Sequence, residues 1–212
     1  MSIEPGCRSC PNHSLVVPFN QVPHTTQATE ALDSRARRRV IQLSAGLVIG
    51  ATGLAAGSAH ALPVIGDRLV LDDAEPGAAM LRLQDIPLTG KPVLAVPFDP
   101  ASKTIKNDTR LNKLVLQRFA EADLDAETRA RAAEGVIAYS AICTHQACEV
   151  KTWIAKDKAL VCFCHASQFM PLEQARVNNG PAPRALPAIA LRVEGDELVI
   201  ASAFSGKPGG SG

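Results

Sequence analysis

Two short stretches, 13 residues apart, constrain this chain more than anything else in it: Cys143-Thr144-His145-Gln146-Ala147-Cys148 and Cys162-Phe163-Cys164-His165-Ala166-Ser167-Gln168-Phe169. Each offers a thiol and an imidazole, with one cysteine over. Four donors from two loops, two sulfur and two nitrogen, can hold a metal centre, and that mixed set narrows the centre to zinc or a mixed-ligand iron-sulfur cluster. A zinc site takes whichever four ligands fit and needs no further thiols. A spare cysteine in each loop therefore suggests that the loops are also stapled together, which an oxidising compartment permits.

The first third of the chain places that compartment. Residues 1–39 are polar and without periodicity and read as a disordered cytoplasmic tail, in which Cys7 and Cys10 lack a second ligand pair and are taken as two free thiols. The tail ends in Ser34-Arg35-Ala36-Arg37-Arg38-Arg39, and residues 40–61 follow with no Asp, Glu, Lys or Arg among 22 positions. At about 1.5 Å per residue such a segment can just cross a hydrocarbon layer of about 30 Å, with the arginines on the cytoplasmic side. Arg37-Arg38-Arg39-Val40-Ile41 also resembles a twin-arginine export signal. Ala59-His60-Ala61 has the form of a cleavage site, while the spacings Gly46 to Gly50 and Gly53 to Gly57 suit a retained, helix-packing anchor. The expectation is an inner-membrane protein whose cofactor domain faces the periplasm.

From Leu62 onward 17 basic residues meet 18 acidic ones, and over the whole chain 22 Lys and Arg meet 21 Asp and Glu. No net field recruits nucleic acid, so no nucleic-acid partner is expected. Short apolar runs separated by turn residues predict an all-β, antiparallel domain over 62–204, with a flexible tail at 205–212. Strands are expected at 68–71, 80–83, 93–96, 113–119, 135–142, 149–154, 159–162, 188–194 and 197–203, with a hairpin turn at Glu194-Gly195-Asp196-Glu197. One helix is expected over 125–134, closed by Gly135. Tyr139 and Trp153 are read as packed aromatics, and His13, His24 and His60 are assigned no role.

The two boxes resemble those of Rieske iron-sulfur proteins of the disulfide-containing kind, found in cytochrome bc complexes and in the small subunit of arsenite oxidase. The resemblance covers about residues 135–203 and includes the proline loop Gly180-Pro181-Ala182-Pro183, expected to cover the cluster. It implies a Rieske-type β domain with a cluster-binding subdomain and a [2Fe-2S] cluster. It further implies Cys143 and Cys162 on one iron, His145 and His165 on the other, and a Cys148 to Cys164 disulfide. Two neutral imidazoles in place of two thiolates reduce the negative charge on the core. The Rieske range is accordingly about −150 to +300 mV, against about −400 mV for all-cysteine plant-type ferredoxins.

Family resemblance also assigns tuning roles, because a serine hydroxyl and a tyrosine hydroxyl on the cluster's sulfurs stabilise its reduced state. Ser167 keeps the first; Phe169 stands in the tyrosine place, which implies a lowered potential. Gln146, Ala147 and Phe163 stand where quinol-oxidising relatives carry Leu, Gly and Pro. The implied function is one-electron transfer by a membrane-tethered subunit of a quinol-cytochrome c reductase-type complex, delivering to a cytochrome c-type acceptor. The alternative is the small subunit of a molybdenum-containing oxidoreductase of the arsenite oxidase type. A structural zinc module and an oxygenase-type domain are the readings from other classes.

Overall fold

The computed structural model describes residues 62–210. The expectations for residues 1–61, including the arginine run, the apolar segment and Cys7 with Cys10, lie outside the described residues. Among the described residues no helix is long and apolar enough to cross a membrane.

Among the described residues twelve strands and one short helix follow in order: β1 (Arg68–Leu71), β2 (Val93–Asp99), β3 (Thr104–Ile105), β4 (Leu114–Arg118), α1 (Ala126–Arg131), β5 (Val136–Ser140), β6 (Thr152–Ile154), β7 (Ala159–Cys162), β8 (Ser167–Met170), β9 (Arg176–Asn179), β10 (Ala188–Ile189), β11 (Leu191–Glu194) and β12 (Glu197–Ile200). They make an antiparallel base sheet in the order β10-β5-β4-β2-β1-β12-β11, with β3 on β2, and a smaller sheet β6-β7-β8-β9. All-β architecture follows from the sequence as expected.

Strands β4 and β5 join the two parts. Leu114, Leu116, Val136 and Ala138 enter the base core with Leu69, Leu198 and Ile200. Their alternates Val115, Ile137 and Tyr139 enter a second core with Leu160, Phe169 and Leu186. Period-two alternation sends one side chain to each face, so a strand buried on both faces must read as a continuous apolar run. Every residue of β5 is buried. Two cores thus share one pair of strands, and the ends of those strands position the first box.

Several elements differ from expectation. Residues 80–83 are not a strand: Arg82 makes a single bridge to Glu197, and Leu83–Asp85 then coil into a 3-10 turn whose Asp85 carboxylate accepts from the Arg82 amide at 2.8 Å. The expected strand 188–194 changes partner at Ala190, pairing with β5 before it and β12 after it. The expected strand 149–154 begins only at Thr152, since the chain is still leaving the first box. Gly135 does not cap the helix. Instead Glu134 and Gly135, both with positive φ, form a two-residue turn between Ala133 and Val136. A Cβ on Gly135 would lie 2.1 Å from the Phe119 carbonyl oxygen, so no other residue fits there. Strands β3, β8 and β9 had no counterpart in the sequence reading; β9 is an edge strand with no buried residue, hence no apolar pattern.

Candidate metal centre

The first box is the loop that leaves β5. It closes on itself through the Cys143 amide donating to the Cys148 carbonyl at 2.7 Å and the Ala147 amide donating to the Cys143 carbonyl at 3.0 Å. Ala147 has φ 56°, the left-handed region in which glycine pays no steric cost. The second box is the turn between β7 and β8, where Cys162 and Ser167 face each other as a strand pair.

Cys148 and Cys164 are disulfide-bonded, with Cα atoms 6.5 Å apart. Three sulfurs, those of Cys148, Cys162 and Cys164, lie within 4.8 Å of one another, but the bonded pair has no thiolate to give. The free cysteines among the described residues are Cys143 and Cys162, both buried. Burial, above all, pushes the Cys162 thiol up from its ordinary value. The Cys164 amide, donating to it, acts the other way, and the Cys143 thiol hydrogen-bonded beside it adds to the rise. Backbone N–H groups of Cys164 and His165 are thus aimed at a sulfur that carries negative charge once a metal binds it.

His145 and His165 meet with ring centroids 4.7 Å apart and planes at 86°. Nδ1 of His145 is buried with no hydrogen-bond partner. A buried ring nitrogen without a partner is costly unless something else binds it. Two buried thiols, two converging imidazoles and one orphaned nitrogen together fit a centre with two sulfur and two nitrogen protein ligands. The spare cysteines, already bonded to each other, do not compete for it.

The expected cover loop lies on the second box. Gly180 has φ +89°, and a Cβ there would sit 2.6 Å from the Ser167 Cα and 2.8 Å from the Ala166 carbonyl oxygen. Only a bare backbone comes this close. Ala182 donates its amide to the Ser167 hydroxyl at 3.2 Å, which fixes that oxygen as acceptor and leaves its own proton for another partner. Pro181 and Pro183 flank the buried Ala182 on the exposed side. Phe169 is fully buried in the core that also holds Cys143 and Cys162. Phe163 is 71% exposed, and His165 in the same box and Gln146 in the first box are exposed as well.

Sequence reasoning missed the residues that hold the first box. Thr144, wholly buried, donates its hydroxyl to the Arg184 carbonyl at 2.6 Å. Arg110 donates its guanidinium to the Ala147 carbonyl. Within residues 205–210, expected as part of a flexible tail, Gly209 and Gly210 lie against this loop instead: Gly209 approaches Leu111 and Ala147, and Gly210 the His145 carbonyl. The paired glycines were the one available signal. Tyr139 and Trp153 pack as read: the Tyr139 hydroxyl donates to the Pro171 carbonyl at 2.8 Å in the core, and Trp153 meets Phe119 edge-on at 5.4 Å.

Comparison with known proteins gives a consistent family. Residues 109–190 match the family described as "Rieske [2Fe-2S] domain". A "Putative respiratory nitrate reductase subunit Rieske" of Haloferax mediterranei is 31% identical over 150 residues, 71% of this chain and 64% of that protein. The "Cytochrome bc1 complex Rieske iron-sulfur subunit" of Corynebacterium glutamicum is 30% identical over 115 residues, 50% of this chain and 28% of that protein. The chain therefore spans under two thirds of the length of either relative. Among solved structures, the ferredoxin of carbazole 1,9a-dioxygenase from Nocardioides aromaticivorans IC177 aligns over 67% of this chain and 99% of its own, with 17% identity and a TM-score of 0.39.

Proposed function

Since this chain carries a Rieske [2Fe-2S] domain, we propose that it is the one-electron carrier of a respiratory oxidoreductase, tethered to the inner membrane by residues 40–61 and working in the periplasm. In this reading Cys143 and Cys162 would hold one iron, and His145 and His165 the other. The observation that carries it is the pairing of two free buried thiols with two edge-on imidazoles, while the two spare cysteines are bonded to each other.

When bound, the cluster stores one electron at a potential raised by its two neutral ligands. The residues around it divide the remaining work. Cys143 and Cys162 sit in the core and keep the sulfur side dry. His165 lies exposed at the tip, so a partner can approach the nitrogen side directly. Its second ring nitrogen can hold or release a proton at that surface, which suits a hydrogen-carrying donor such as a quinol. The Ser167 hydroxyl has a free proton to donate toward a sulfide, stabilising added negative charge. The disulfide ties the exposed halves of both loops so that the donor set stays assembled between electron transfers.

Three settings compete for this carrier. A quinol-cytochrome c reductase-type complex, delivering to a cytochrome c-type acceptor, agrees with the resemblance to bc1 Rieske subunits. Partnership with a molybdenum-containing oxidoreductase is favoured by Phe169. Partnership with a respiratory nitrate reductase is favoured by the relative of that name that matches 71% of this chain. Mild-detergent purification of the tagged full chain separates these settings: b-type haem spectra in the co-purifying fraction support the first, bound molybdenum without nitrate reduction the second, and nitrate reduction by that fraction the third. The carrier reading itself is tested by electron paramagnetic resonance of the dithionite-reduced protein. A rhombic mixed-valence signal is expected; colourless protein without acid-labile sulfide overturns the reading.

A further inference from the structure

Three contacts meet at one arginine that has no part in the donor set. The Arg184 carbonyl accepts from Thr144, the residue between Cys143 and His145. The Arg184 guanidinium donates to the carbonyls of Lys207 and Gly209, both at 2.7 Å. That pulls residues 207–210 across the first box. Gly209 is buried with φ +82°, and a Cβ on it would touch Leu111 at 3.3 Å and Ala147 at 3.7 Å. A Cβ on Gly210 would stand 2.5 Å from the His145 carbonyl oxygen and 3.2 Å from its carbon. Backbone therefore lies on backbone at the residue that presents the orphaned nitrogen, and any side chain at 210 would push the two apart.

The first box needs such a hold. Unlike the second it does not join two paired strands: a single antiparallel bridge between Ile142 and Glu149, the Val150 amide on the Ala141 carbonyl at 2.7 Å and the two backbone hydrogen bonds of Cys143 are its local closure. We propose that residues 207–210 form a strap over the first box, that Arg184 is the positioning residue that fastens it, and that together they fix the placement of His145. The strap lies on the peptide of His145, so loosening it frees that ring's backbone while leaving the second box untouched. This rests on the reading of His145 as a ligand.

The test uses the full chain in four forms: wild type, Arg184→Gln, a truncation after Gly206, and the two combined, with Gly210→Ala and Arg184→Lys alongside. Amide hydrogen exchange at residues 144–148 is expected to accelerate about tenfold in both single variants, a loss of hydrogen bonds from a charged donor. Exchange in β1, β2 and β12 should stay unchanged. Because Arg184 acts through the strap, its substitution should add nothing in the truncated chain. Gly210→Ala should reproduce the loosening by lifting the strap from His145, and Arg184→Lys, able to reach one carbonyl, should restore part of the protection. In the reduced holoprotein the rhombic signal should shift or broaden in the same variants. Unchanged exchange at 144–148 in the truncated chain overturns the strap, and full additivity of the two changes overturns the role of Arg184. A wild type that holds no cluster sinks the ligand reading whatever the exchange rates show, so the two fail separately.

Discussion

Cys162 and Ser167 close the second box as paired neighbours of one hairpin, whereas the first box spans residues 143–148 between β5 and β6 and is held from outside by Thr144, Arg110, Arg184 and the chain's last described residues. Donor chemistry is alike in the two boxes, one cysteine and one histidine each. Mechanical support is not. A hairpin turn is made by residues close in sequence and forms with its strands. A loop fixed by contacts at separations of 37 and 40 residues forms only when the whole domain has folded. The difference teaches that matched donor chemistry says nothing about which ligand is the more easily displaced.

Removing the staple between the boxes should expose this asymmetry most strongly. In the Cys148→Ser, Cys164→Ser double variant the bond across a separation of 16 residues is lost, worth about 3 kcal/mol by chain-entropy reasoning. Amide exchange is expected to rise far more at 143–148 than at 162–167, and the urea midpoint to fall. Equal loosening of both boxes would break the comparison. Thr144→Val is the next largest case, since it leaves the Arg184 carbonyl without its buried donor at a cost of about 1–2 kcal/mol. Thermal melting should show that loss, accompanied by faster exchange in the first box alone.

On the second box the comparison turns from stability to potential. Ser167→Ala removes the hydroxyl that accepts from Ala182, and should lower the midpoint potential by about 40 mV, one hydrogen bond of about 1 kcal/mol for a one-electron couple. Phe169→Tyr should raise it by a similar amount if the added hydroxyl donates to a ligand sulfur in the shared core. Redox titration checks both. Absence of a rise in Phe169→Tyr would mean that this buried ring serves packing only.

Legibility in the sequence followed the same divide. β1 and β7 read off their apolar runs to the residue, and the donors of the second box stood out as one local motif, though the strand β8 that its last residues form did not read. The cover loop was visible through Gly180 and two prolines, whose fixed backbones mark a close approach. What did not read was support from afar. Thr144 looks like filler between two donors, Arg184 like a surface charge after a turn, and Gly209-Gly210 like the end of a loose tail. Their roles come from long-range contacts that no local period encodes. β9 escaped for a related reason, since an edge strand with an exposed pattern carries no hydrophobic signal.

The smallest expected effect probes what lies beneath the second box. Asp125 caps α1, its carboxylate accepting from the Thr128 amide at 2.7 Å, and also accepts from Gln174 Nε2 at 3.0 Å; the Gln174 amide in turn donates to the Thr128 hydroxyl. This knot ties the turn after β8 to the helix. Partial burial works against the charged form, but the Thr128 and Gln174 donors outweigh it and hold the Asp125 carboxyl below its ordinary value. A depressed folded value means stability that is fully present above the unfolded value of about 3.9 and is lost as pH falls through the folded one. Asp125→Ala should therefore cost about 0.5–1 kcal/mol at neutral pH and nothing once the carboxyl is protonated in both states. Melting curves of the two proteins, separated at pH 7, should converge in acid. The first box, held through Arg110, Thr144 and Arg184, should show no change in exchange; a response there would mean that the helix and the strap are coupled, and that the two boxes are not held independently.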